Sequence, residues 1–74
     1  MDDKLNEILI DLFELEPGQI ADTLTAEEVE LWDSLNHLKL VTAVEEAFGV
    51  QLSMEEIEAI DSVGRLRATL AQHA

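Results

Sequence analysis

An all-α four-helix bundle with a long first loop and a short third helix is the fold this sequence predicts. Apolar residues recur at helical spacing in four stretches, and no stretch alternates apolar and polar residues as a half-buried strand would. Residues 17–33, which lack that periodicity, separate the first stretch from the second.

Leu5, Ile8, Leu9, Leu12 and Phe13 share one face of the first helix. Asp2 or Asp3 is placed to cap its start, and Pro17-Gly18 forbids its continuation past Glu16. Ile10 falls off the stripe as a lone exposed apolar residue. In the loop, Ile20, Leu24, Val29 and Leu31 are spaced irregularly, as anchors pinning a connection over the bundle would be. Thr25-Ala26-Glu27-Glu28 has the capping-box pattern, which predicts one helical turn inside the loop. A connection this long in a compact chain is uncommon and is often functional.

The second helix opens at Asp33-Ser34, where either residue has a side-chain oxygen able to accept from an unpaired amide of the first turn. Free donors and partial positive charge at that end favour a phosphate ester on the Ser34 hydroxyl. At about 100° per residue, His37, Leu40, Val41, Val44, Ala47 and Phe48 gather on one arc, while Leu35, Leu38 and Thr42 lie on another. The first arc must build the core. The second, continuous with Ser34 and edged by Glu45, Glu46 and Lys39, is either a small apolar strip open to a partner or a face covered by the long loop. Trp32 is expected to pack as a loop anchor rather than lie exposed, because tryptophan is highly buried on average.

Gly49 supplies a left-handed helix end, Val50-Gln51-Leu52 crosses briefly, and Ser53-Met54-Glu55-Glu56 is a capping box opening a short helix through Ile57 and Ile60. Ser62 or Asp61 caps the last helix, whose Val63, Leu66 and Leu70 face inward.

With 74 residues, the chain reads as a single domain over residues 1–74, near the size where net stability is only about 3–5 kcal/mol. The absence of cysteine fits a reducing compartment. Neither an export signal nor an apolar run approaching the roughly 18 residues of a membrane span is present, so a cytoplasmic monomer is expected. A net charge of −13 argues against nucleic-acid backbones and anionic membrane surfaces and favours basic partner surfaces. Most of the acids precede Ser34, and none follows Ser62.

Ser34 and His37 lie three apart with Asp33 adjacent, so a nucleophile–base pair must be weighed. Catalysis also needs an orienting group, an oxyanion hole and a pocket, and little chain remains to build them. The chain therefore reads as no enzyme, with His37 lining the upper core and His73 near the C-terminus pairing with no evident ligand. Cys–His clusters, a glycine-rich phosphate loop and EF-hand spacing are missing, so no metal site is expected.

Asp33-Ser34-Leu35, followed by Leu38, Leu40, Val41 and Val44 and then Glu45-Glu46-Ala47-Phe48-Gly49-Val50, resembles the acyl carrier proteins over nearly the whole chain. The resemblance implies that a phosphopantetheinyl transferase moves 4′-phosphopantetheine from coenzyme A onto Ser34, and that acyl groups then ride as thioesters on the arm. It also implies that the face bearing Asp33, Leu35, Leu38 and Thr42 meets acyl-loading and acyl-processing enzymes through their basic patches. Starting at methionine and ending soon after its last helix, the chain reads as free-standing.

Asn36 and Lys39 stand where the fatty-acid type has acids, and Trp32 stands where a small residue is common. These departures point to a specialised carrier, in a polyketide, unusual acyl or secondary-metabolite pathway. A peptidyl or aminoacyl carrier, or an acidic helical interaction module without a prosthetic group, is the alternative.

Overall fold

The computed structural model describes residues 2–73. Helices α1 (Asp2–Phe13), α2 (Ser34–Phe48), α3 (Met54–Ala59) and α4 (Val63–His73) follow in chain order, with 3-10 turns at Pro17–Gln19 and Ala26–Glu28. Among the described residues there is no strand, only an isolated antiparallel bridge between Thr25 and Ser62. None of their helices is long and apolar enough to cross a membrane.

The helical stripes meet in one core. Leu5, Leu9 and Phe13 of α1, Leu40, Val41 and Val44 of α2, and Val63, Leu66 and Leu70 of α4 are buried together, joined by Val29, Trp32, Leu52 and Ile60. Ile10 is half-buried.

Helix α1 stops earlier than Pro17 requires. Glu14 takes a left-handed conformation at φ 54° immediately after Phe13, the last residue of the apolar stripe. The helix thus ends where its burial ends. Asp2 and Asp3 both lie within α1, and the residue ahead of them is outside the described residues.

The long loop is held from both sides. Val29 is buried, and Ile20, Leu24 and Leu31 pack against the core as partly buried anchors. The turn at Ala26–Glu28 forms as its pattern predicts, with the Glu28 carboxylate accepting from the Thr25 amide at 3.0 Å and hydroxyl at 3.1 Å. The amides of Ala26, Val63 and Gly64 bond the carbonyls of Asp61, Leu24 and Asp22, lashing the loop to the α3–α4 turn. Gly64 is required here, because a Cβ would lie 2.8 Å from the Asp22 carbonyl oxygen. Arg67 of α4 adds bonds to Asp22 and Asn6, though exposed pairs of this kind contribute little.

Helix α2 ends at Gly49, which adopts φ 66° and donates its amide to the Glu45 carbonyl. Lys4 places its ammonium 2.9 Å from the Ala47 carbonyl, a cation at the negative end of the helix. Glu45 does not border the outer strip, as its place in the sequence suggests; its carboxylate accepts the Leu52 amide at 2.8 Å and shapes the α2–α3 connection.

The capping box of α3 is complete, with Ser53 Oγ accepting from the Glu56 amide and the Glu56 carboxylate accepting from the Ser53 amide. His73, which sequence spacing leaves without a partner, lies 2.8 Å from the second Glu56 oxygen and ties the end of α4 to α3. The Ser53 amide foremost, and then His73, hold the Glu56 carboxyl below its ordinary pKa.

Candidate functional site

Ser34 is the first residue of α2, and the residue before it does the capping. Asp33 Oδ1 accepts the Asn36 amide at 2.8 Å, so the start of the helix does not consume the Ser34 hydroxyl. Ser34 is exposed, and the first-turn amides beside it have no partner within the helix. An exposed hydroxyl at the positive end of a fifteen-residue helix suits attachment of a phosphodiester.

Two hydrogen bonds tie down the approach to Ser34. The Trp32 amide bonds the Val29 carbonyl at 3.0 Å, and Asn36 Nδ2 donates to the Leu31 carbonyl at 2.7 Å, folding the end of the loop back onto the first turn of α2. Asn36 therefore has a structural task that its charge alone does not reveal. An aspartate there would gain about 0.3–1 kcal/mol from the helix end but would set a carboxylate against the Leu31 carbonyl, at a cost of about 1–3 kcal/mol. We expect Asn36→Asp to lose about 1 kcal/mol net in denaturant unfolding; an unchanged midpoint would show that the bond contributes nothing.

Trp32 is buried, as expected, and its ring stacks on Phe13 with centroids 5.0 Å apart. Its indole Nε1 donates to His37 Nδ1 at 2.9 Å, so the other imidazole nitrogen carries the hydrogen and donates to the Ile57 carbonyl at 2.8 Å. Both nitrogens are thereby occupied by partners other than Ser34. A Ser34–His37 nucleophile–base pair is not assembled.

A groove of about 430 Å³, open on its solvent side, runs beside Ser34 between α2 and α3; Leu38, Met54, Ile57 and Ile60 are among the residues that line it. Leu35, Leu38 and Met54 are 63, 58 and 68 % exposed, so the long loop does not cover the outer face of α2. Thr42 on the same face is exposed and spends its hydroxyl on the Leu38 carbonyl. Asp33, Lys39, Glu46 and Glu58 are exposed as well. Large apolar side chains are thus left in water next to charged ones, on a face that no other part of the described chain packs against.

Met54 was hidden from sequence reasoning. Its spacing to Ile57 places both on one face of α3, yet Met54 is exposed while Ile57 is half-buried. Among the described residues, no group of acids and histidines is arranged to hold a metal ion.

Comparison with known protein families matches residues 3–70 of the 74 to the family described as "Phosphopantetheine attachment site". Members of this family carry covalently attached 4′-phosphopantetheine and meet the transferase that installs it and the biosynthetic enzymes that use it. The match runs from the first turn of α1 into α4 and includes the loop that leads into Ser34, and the chain belongs to the phosphopantetheine attachment site family.

Proposed function

We propose that Ser34 is the attachment residue and that residues 1–74 act as one carrier domain, a tethered substrate rather than an enzyme. The observation that carries this reading is the exposed Ser34 hydroxyl at the start of α2, left free by the Asp33 cap and opening onto the groove. When bound, phosphopantetheine supplies a thiol on which acyl groups travel as thioesters. The chain's own residues tie down the attachment point and present a recognition surface. A covalent tether keeps an intermediate at high effective concentration for each successive enzyme.

Asp33, Leu35, Leu38 and Thr42, with Met54 added from α3, form the face offered to those enzymes. Their basic patches would be drawn by the net charge of −13, more weakly as salt rises. Incubation with coenzyme A and a broad-specificity phosphopantetheinyl transferase tests the assignment: intact mass should rise by one phosphopantetheine, and an unchanged mass would refute it.

A specialised acyl pathway is the reading Lys39 supports. It is exposed on α2 beyond Leu38, where it sets a cation opposite any basic patch that grips this face. Asn36 no longer counts toward that reading, because its amide is engaged with Leu31. Lys39→Glu should therefore speed association of the loaded protein with a fatty-acid ketosynthase by the equivalent of about 0.2–1 kcal/mol at low salt. The gain should shrink as salt is added. A wild type already as fast as the variant across the salt series would remove the support for a specialised pathway.

A further inference from the structure

The groove beside Ser34 ends on an unusual floor. Trp32 and His37 line it side by side, the imidazole meeting the edge of the indole with centroids 6.2 Å apart and planes tilted by 22°, and Phe13 of α1 stacks on the indole with centroids 5.0 Å apart at 20°. The floor is also locked from the side. The Trp32 indole N–H is held by His37 Nδ1, and the N–H on the other side of that ring is held by the Ile57 carbonyl of α3.

For an alkyl chain to pass deeper, one of two things must move. Swinging the indole aside breaks its bond to His37 and its stack on Phe13; moving α3 away from α2 breaks the bond from His37 to Ile57. Either motion leaves part-buried polar groups unpaired in the presence of an alkyl chain that cannot satisfy them. Aliphatic side chains at these positions would have yielded by rotamer changes alone.

We propose that Trp32 and His37 act as a stop that sets the length of acyl chain the groove takes up, so that this protein shelters short-chain acyl thioesters and leaves the remainder of a longer chain in solvent. The proposal rests on Ser34 being the attachment residue. It makes Trp32 and His37 specificity determinants of the cargo and assigns them no part in its attachment.

The test loads the full chain with acetyl, butyryl, octanoyl and dodecanoyl phosphopantetheine from the corresponding acyl coenzyme A and confirms each product by intact mass. Each methylene that enters the groove stabilises the fold, and each that stays in water does not. The thermal midpoint of the wild type should therefore rise from acetyl to butyryl and then stay flat to dodecanoyl. In the double variant Trp32→Phe, His37→Leu, which keeps apolar bulk and removes both hydrogen bonds, the rise should continue to octanoyl or beyond.

A wild-type midpoint that climbs through dodecanoyl would overturn the proposal, and so would a variant whose plateau matches that of the wild type. Should the variant not fold, the wild-type series decides alone. Failure of the wild type to gain mass would remove the attachment reading and this inference together, whereas loading followed by the wrong chain-length profile would remove only the stop.

Discussion

Ser34→Ala is expected to fold as the wild type does and to gain no mass with coenzyme A, magnesium and a phosphopantetheinyl transferase, under conditions where the wild type gains one phosphopantetheine. The chain has three serines, Ser34, Ser53 and Ser62, and all three stand at helix starts. Position at a helix mouth therefore does not choose among them. Hydrogen bonding favours Ser34: Ser53 Oγ accepts the Glu56 amide and Ser62 Oγ accepts the Arg65 amide, both at 3.1 Å, so each is held in a cap. At α2 the Asp33 carboxylate takes that task, and the serine one residue later is released from it. Alanine at the first helical position retains the cap and has the best helix propensity, so the change in stability should stay within about 0.5 kcal/mol. Mass gain persisting in Ser34→Ala would move the attachment to another residue and leave the family membership intact.

Local patterns were the legible part of the fold. The stripe of α1, the Ser53 capping box and the left-handed Gly49 each depend on residues within a turn or two, and each forms as the spacing predicts. The anchoring of the loop by Val29 and the packing of Trp32 were legible too, because burial of large apolar side chains dominates in a chain this small.

What the sequence concealed was the destination of polar side chains. Glu45 reaches the Leu52 amide, Asn36 reaches back to the Leu31 carbonyl, and His73 meets Glu56 from the far end of α4. Each bond depends on where a turn carries the backbone. Reading Asn36 and Glu45 by charge placed them on the partner surface, whereas their hydrogen bonds make them parts of the scaffold.

The two faces of α2 make the second large effect. Leu38 and Leu40 stand two residues apart on the same helix, 58 and 1 % exposed, so one substitution applied to both separates recognition from packing. Leu40→Ala removes methyl groups from the centre of the core and should cost about 2–5 kcal/mol, the usual range for a buried leucine. That approaches the whole net stability of about 3–5 kcal/mol expected for a domain of this size. The variant should accordingly be largely unfolded near its working temperature or melt far below the wild type. Val44→Ala, which removes less volume from an equally buried site, supplies a measurable loss where Leu40→Ala leaves no folded state to follow. Leu38→Ala exposes nothing that was covered, and its stability should stay within about 0.5 kcal/mol. Its cost should appear with the transferase, where losing a central apolar contact is worth about 1–2 kcal/mol, roughly tenfold or more in kcat/KM. Denaturant unfolding and transferase kinetics on the same preparations give both readouts. Equal stability losses at the two positions, with turnover unchanged in Leu38→Ala, would mean that Leu38 serves the core and that the partner surface lies elsewhere on the molecule.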